Sequence, residues 1–173
     1  GSHIVCNLID NNFEVFIIDN LSTGHEKLIN KSASFYEEDI NSDQVIKIIK
    51  ENKIENVIHL AASVKVDEST INPIKYYSNN TAKTLKFISS CSNTNIKNFI
   101  FSSTASVYGS KGSDPIKENE ELNPESVYGH SKLMSEIMLK DITSTSSMKY
   151  GILRYFNVAG ADPKLRVGQC DED

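Results

Sequence analysis

The sequence predicts an α/β protein built on a doubly wound parallel sheet with helices on both faces. Three observations carry that expectation. Short apolar runs rich in β-branched and aromatic residues recur along the chain, helix-like stretches separate them, and helix and strand alternate throughout. The 173 residues suit one domain with a substantial core.

The elements follow in order. Residues 3–11 place Ile4, Leu8 and Ile9 on one side of a helix. The run "EVFIID" at 14–19 sets four apolar residues in a row, Val15 to Ile18, the pattern of a strand buried on both faces. Residues 32–39 form a weaker strand candidate. A helix over 42–52 groups Val45, Ile48 and Ile49, and a strand follows over 55–62. The next helix, 73–92, opens on Pro73 at an N1-like position and carries Ile74, Tyr77, Leu85 and Ile88. A strand over 97–103 leads to a helix over 124–142. There Asn123 precedes Pro124 as N-cap, and Val127, Met134, Ile137 and Met138 form the apolar face. The last strand is 149–156. Parallel strands joined by helices imply right-handed crossovers.

Several function classes are disfavoured. The net charge is −5 with no basic cluster, so a nucleic-acid partner is not expected. No apolar run approaches the ~20 residues that span a bilayer, and no leader pattern opens the chain, so neither membrane insertion nor secretion is expected. Cys6, Cys91 and Cys170 are odd in number and far apart, which points to reduced thiols and a cytoplasmic setting. The four histidines form no ligand-like pair, and no metal is expected. His59, at the end of an apolar run, reads as a buried, hydrogen-bonded side chain.

The chemistry gathers at strand ends. Asp19 closes its strand at the carboxyl edge, where ligands bind in open α/β sheets. A carboxylate there accepts hydrogen bonds from ribose hydroxyls and repels a 2′-phosphate. It stands eighteen positions after Gly1, close to the ~20-residue separation of the dinucleotide fingerprint. That spacing favours Gly1 as the last glycine of a phosphate-binding loop over a cloning remnant in "GSH". A Rossmann unit opens with a strand and a glycine-rich turn, so an incomplete amino end is expected. Asp39 follows "SFYEE" in the same way. "HLAAS" at 59–63 and "FSSTASVYG" at 101–109 put small residues after strands, where a flat cofactor approaches the backbone, and Thr104 adds a hydroxyl. Finally, "SVYGHSK" sets Tyr128 and Lys132 one helical turn apart on one face. With seven tyrosines in the chain that spacing alone is uninformative; its neighbours give it meaning.

Taken in order, "EVFIIDNLSTGH", "EEDI", "VIHLAASVKVDES", "NPIKYYSNNT", "NFIFSSTASVYG", "SVYGHSK" and "LRYFNVAGADP" resemble the extended short-chain dehydrogenase/reductase family across nearly the whole chain. Within it they are most similar to the branch that epimerises nucleotide sugars at C4. The resemblance implies NAD as cofactor and UDP-galactose/UDP-glucose interconversion through a 4-keto intermediate. The alternatives are epimerisation or reduction of another nucleotide sugar, or a non-catalytic dinucleotide-binding fragment. It implies that residues 1–173 are an NAD-binding domain, lacking the first strand and the carboxyl-terminal nucleotide-sugar domain.

The resemblance also distributes roles. Tyr128 is the acid/base and Lys132 its partner, with Thr104 assisting at the sugar hydroxyl. Gly1, Asp19, Asn20, Leu21, Ser22, Thr23 and Gly24 contact NAD, as do Asp39 and Ile40. Leu60, Ala61 and Ala62 line the cofactor, Asn79 and Phe156 lie at its nicotinamide, and Asn157 touches the nucleotide sugar. A lysine ammonium and a cationic ring beside Tyr128 would lower a phenol pKa of ~10 toward neutrality. Dehydratases of the family carry an Asp-Glu pair directly after the Thr. Ala105 and Ser106 stand here instead, which disfavours elimination of water. Lysine is found in some relatives where Val64 stands, one place before Lys65, and glycine is frequent where Asp67 stands. The helices near 73–92 and 126–142 imply a homodimer.

Overall fold

The computed structural model of the chain describes residues 1–112 and 114–168. Cys170 lies outside the described residues. The fold is Rossmann-like: parallel strands, each joined to the next through helical or turn segments. The residues cluster in two compact units, Gly1–Val45 with the segment from Asn157, and Ile46–Phe156.

In the first unit, α1 (Ser2–Asp10) leads into β1 (Phe16–Asp19), which pairs in parallel with β2 (Ser34–Glu37). The register sets Phe16 opposite Ser34 and Asp19 opposite Glu37. Val15 is buried, but Phe16, Ile17 and Ile18 are only half-buried, so the expectation of a strand covered on both faces is not met. Among the described residues β1 has one hydrogen-bonded neighbour, β2. The returning segment is tied to α1 by Arg166. Its guanidinium donates two hydrogen bonds of 2.9 Å to the carboxylate of Asp10 and two more, of 2.7 and 2.9 Å, to Asp162. Planar forks suit guanidinium for such double pairing. The helix α2 (Asp43–Glu51), which belongs to the second unit from Ile46 on, buries Val45, Ile48 and Ile49, the face its spacing predicts.

The second unit is a three-stranded parallel sheet of order β3 (Asn56–His59), β4 (Asn98–Thr104), β5 (Lys149–Tyr155). Its core gathers Phe87, Ile88, Phe99, Phe101, Val107 and Leu139. Two helices precede the long one: α3 (Val66–Ile71) and α4 (Pro73–Tyr76). The expected continuous helix over 73–92 is instead α4, a π-helical turn at Tyr77–Ala82, and α5 (Lys83–Ser92). Asn72 caps α4, accepting from Lys75 N at 3.2 Å. On this stretch Tyr76, Asn80, Thr84, Phe87, Ile88 and Cys91 face inward, while Ile74 and Leu85 are exposed.

The helix α6 (Val127–Ser144) differs most from its expectation. Its N-cap is Ser126, whose Oγ accepts from Gly129 N at 3.0 Å, and not Asn123. Its buried face is polar: Tyr128, Ser131, Lys132, Ser135 and Glu136 point inward. Met134 and Ile137 are 42% and 49% exposed. Met134 and Ile137 therefore lie on the outward face, while Tyr128, Ser131, Lys132, Ser135 and Glu136 each find a partner on another element. No described helix is long and apolar enough to cross a membrane.

Candidate active site

In the first unit, β1–β2 pairing brings the expected nucleoside-contacting residues together. The carboxylate of Asp19 accepts from Leu21 N at 2.8 Å and stays exposed. Leu21 takes a left-handed backbone conformation, φ +52°. That bends the chain so that a Cβ added at Gly24 would lie 3.3 and 3.4 Å from the Asp19 oxygens. Asn20 Oδ1 accepts from Ser22 N at 3.1 Å, and its Nδ2 donates to Asp39 Oδ2 at 3.0 Å. Asp39 also accepts from Asn41 N, which curls the chain around Ile40. Two carboxylates and an amide thus share one strand edge. Thr23 is exposed in the same loop. Gly1 is the N-cap of α1.

In the second unit, the small-residue loops and the helix converge. Thr104 ends β4, 8% exposed, and its Oγ1 accepts from Ser106 N at 3.2 Å. Tyr128 is 9% exposed and its phenol lies beside Thr104. Burial raises the phenol above its usual range, and the Thr104 hydroxyl opposes that rise. Lys132 is 3% exposed, its Nζ 4.9 Å from the Phe101 ring centroid and donating to the Ser102 carbonyl at 2.9 Å. Burial lowers its ammonium to about 8. The ammonium is engaged on a backbone carbonyl, so the lowering of Tyr128 expected from Lys132 is not expressed in this arrangement.

Residues that the sequence did not single out hold this geometry. Ser69, fully buried on α3, accepts from Tyr128 N at 3.1 Å and donates to Val66 O. It satisfies one of the free N–H groups that every helix start leaves. Gly129 lets α6 approach the turn after Thr104: a Cβ there would lie 2.8 Å from the Ser106 carbonyl. Gly109 has φ +71°, and a Cβ there would lie 2.1 Å from the Asn123 carbonyl.

Asn80, 2% exposed, is the clamp of the site. Its Oδ1 accepts from Ser63 N at 2.8 Å, and its Nδ2 donates to Ser63 O at 2.9 Å and to Ser131 Oγ at 3.1 Å. It therefore pins the loop of Leu60, Ala61 and Ala62 to α6 between Tyr128 and Lys132. Asn79 Nδ2 donates to Ser63 Oγ at 3.1 Å. The π-helical turn is what lets these two consecutive asparagines serve the same loop. The signal available in sequence was the doubled "NN" inside a helical pattern. Tyr76 packs edge-on against Tyr128, centroids 6.4 Å apart, and donates to the Lys65 carbonyl at 2.6 Å.

His59 is buried among Phe87, Phe99 and Phe101, with Nε2 3.1 Å from Thr84 Oγ1. Burial and the charge of Lys132 push its pKa down to about 3, so the ring is neutral. No group of three or more metal-ligating side chains occurs among the described residues. Phe156 and Asn157, just past β5, are exposed.

The chain matches the NAD dependent epimerase/dehydratase family over residues 1–169. A UDP-glucose 4-epimerase of Azospirillum brasilense is 41% identical over 98% of this chain and 49% of its own length. A crystal structure of a UDP-glucose 4-epimerase superposes with a TM-score of 0.94 at 39% identity, covering 98% of this chain and 52% of that one. The Brucella ovis UDP-glucose 4-epimerase in complex with NAD gives 0.89 at 40% identity, over 94% and 50%. The chain spans about half the length of these relatives. By the match over nearly its whole length, the chain belongs to the NAD dependent epimerase/dehydratase family.

Proposed function

We propose that residues 1–173 are the dinucleotide-binding domain of an NAD-dependent nucleotide-sugar 4-epimerase that interconverts UDP-galactose and UDP-glucose. The observation that carries this reading is the buried set of Thr104 at the end of β4 with Tyr128 and Lys132 one turn apart on α6. The residues present fit NAD. Asp19 offers an exposed carboxylate at a strand end, suited to ribose hydroxyls and hostile to a 2′-phosphate, and no side chain at Gly24 crowds it. Asn20 and Asp39 offer donors and acceptors to an adenine edge. On this reading Gly1, Asp19 to Gly24, Asp39 and Ile40 hold the adenosine and phosphate end. Leu60 to Ala62, Asn79, Tyr128, Lys132 and Phe156 hold the nicotinamide end. When bound, NAD supplies a reversible hydride acceptor, so epimerisation needs no external oxidant.

The chain's own residues manage the proton. Thr104 and Tyr128 present two hydroxyls to the sugar C4 hydroxyl, and Tyr128 takes its proton and later returns it. The hydrogen bond from Thr104 stabilises the phenolate that results. Lys132, released from Ser102, adds positive charge on the same helical face. Ala105 and Ser106 form the turn after Thr104 with no carboxylate, which leaves no acid/base pair for eliminating water. Asn157 contacts the nucleotide sugar, and the remaining sugar contacts come from outside residues 1–173. The exposed Leu85, Met134 and Ile137 support a homodimer of the full-length protein, and the thiol usage supports a cytoplasmic setting.

The test is conversion of UDP-galactose to UDP-glucose by the full-length protein with no added oxidant. Conversion is expected. A folded, NAD-loaded protein that leaves UDP-galactose unchanged discards the galactose reading in favour of another nucleotide sugar. Tyr128→Phe should lower turnover by roughly 10²- to 10⁴-fold with NAD retained; near-normal turnover removes the acid/base assignment.

A further inference from the structure

Glu136 is fully buried on α6, four residues after Lys132 on the same inward face. Opposite charges at that spacing are neighbours and attract. A carboxylate without water needs a cationic partner. Lys132 nevertheless donates to the Ser102 carbonyl, and Glu136 is held by other groups. Arg154 grips it with a fork: Nε to Oε1 at 3.0 Å and Nη2 to Oε2 at 2.8 Å. Ser103 Oγ donates to Oε1 at 2.5 Å, and Lys140 Nζ lies 3.9 Å from Oε2 at the half-exposed rim. Arg154 is fixed in turn. Its Nη1 donates to Tyr108 Oη at 2.8 Å and to the Glu118 carbonyl at 3.0 Å, and the guanidinium lies over the Tyr108 ring.

We propose that Arg154 is a positioning residue that, by occupying both oxygens of Glu136, keeps this buried carboxylate from capturing Lys132. The ammonium thereby rests on the Ser102 carbonyl, from which it can be released to Tyr128 and the cofactor. The inference rests on the reading of Tyr128 and Lys132 as the acid/base pair.

The groups around Lys132 can be named by element. On α6 they are Tyr128 and Glu136. From β3 comes His59, neutral. From β4 come the Phe101 ring, the Ser102 carbonyl and Ser103, and from β5 Arg154. From α4 Tyr76 stacks on Tyr128, its phenol raised to about 12 by burial and by Glu68 of α3. Among these groups Glu136 is the carboxylate that shares a helical face with Lys132. Without Arg154 it loses its forked partner. Lys132 then swings one turn along α6 toward it and away from the phenol. A phenolate deprived of a nearby cation is harder to form, so its pKa rises.

The experiment uses the full-length protein and compares the parent with Arg154→Met, Glu136→Gln and the double variant. The reading is the pH dependence of kcat for UDP-hexose interconversion, with NAD content and thermal unfolding as checks of folding. Arg154→Met should move the acidic limb of the profile up by about one pH unit. Glu136→Gln added to it removes the captor and should return the limb to its parental place. A general loosening of the fold would lower kcat without moving the limb, and the second substitution would not restore it. A folded Arg154→Met with an unmoved limb, or a double variant that keeps the shift, overturns the proposal. If Arg154→Met does not fold, Arg154→Lys is read instead: one ammonium replaces the fork, and the limb should move partway, an unmoved limb again overturning the proposal. Tyr128→Phe is run beside them. If it retains turnover, the acid/base reading falls and this proposal with it. If it abolishes turnover while the Arg154 limb stays put, only this proposal falls.

Discussion

Gly129→Ala tests how closely α6 must sit against the turn after Thr104. Within a helix, alanine is normally favoured over glycine by about 1 kcal/mol. Here the added Cβ would lie 2.8 Å from the Ser106 carbonyl oxygen and 2.9 Å from Pro124 Cβ. The first contact is short of ordinary van der Waals distance by about 0.6 Å. The oxygen belongs to the backbone, so no rotamer change relieves the clash, and α6 has to lift at its start. Overpacking costs about 1–3 kcal/mol, which offsets the helix gain and leaves a net loss of about 1 kcal/mol. The effect on turnover should be larger, at least about tenfold, because Tyr128 is the adjacent residue and displacements on the order of 1 Å cost on the order of 100-fold. Urea denaturation of the 173-residue chain reads the first effect and turnover of the full-length protein the second. Gly151→Ala is the control: its Cβ would meet only Ile100 Cγ1, at 3.9 Å, and stability should hold or rise slightly. A Gly129→Ala chain as stable as the parent, with unimpaired turnover, would refute the seating argument.

Three further expectations concern His59, its partner Thr84, and Asp19. The His59 ring should stay neutral across physiological pH; a midpoint near 6.5 in an NMR titration contradicts the burial argument. Its folded pKa lies below its unfolded one, so the stability it contributes is complete above 6.5 and is lost as pH falls from 6.5 toward about 3. Replacing its partner, Thr84→Val, should cost about 1–3 kcal/mol in urea denaturation; an unchanged midpoint would show that the hydrogen bond is dispensable. In the full-length protein, Asp19→Ala should weaken NAD binding about tenfold or more in calorimetry while weakening NADP binding less, since the repulsive carboxylate is gone. An equal effect on both cofactors would remove Asp19 from the ribose.

Strand positions were legible because parallel sheets demand consecutive apolar residues, and "EVFIID", "NFIFSS" and "YGILRY" supply them. The pairing of Tyr128 with Lys132 on one face of α6 was legible once read beside the small-residue strand ends. The short helix α3 was not, since "VDESTI" has no apolar face of helical period and is tied in through Ser69 to a residue 59 positions away. The face of α6 was misread for a related reason. Periodicity assigns apolar side chains to the interior, but here the interior takes a tyrosine, a lysine, a glutamate and serines. Each is satisfied by a group from β4, β5, α3 or the π-helical turn, and such long-range partners leave no local trace.

The π-helical turn at Tyr77–Ala82 has a consequence for how this stretch tolerates changes of length. A helix that closes i→i+5 carries one residue more than a regular helix over the same span. Deleting one residue there would give a smoother helix that is locally easier to form. It would also rotate everything before the deletion by about 100° relative to α5. Asn79 and Asn80 would no longer reach Ser63 together, and the clamp between the loop of Leu60 to Ala62 and α6 would open. The local irregularity is therefore what protects the longer-range order, and this segment should tolerate exchanges of residue more readily than a change in its count.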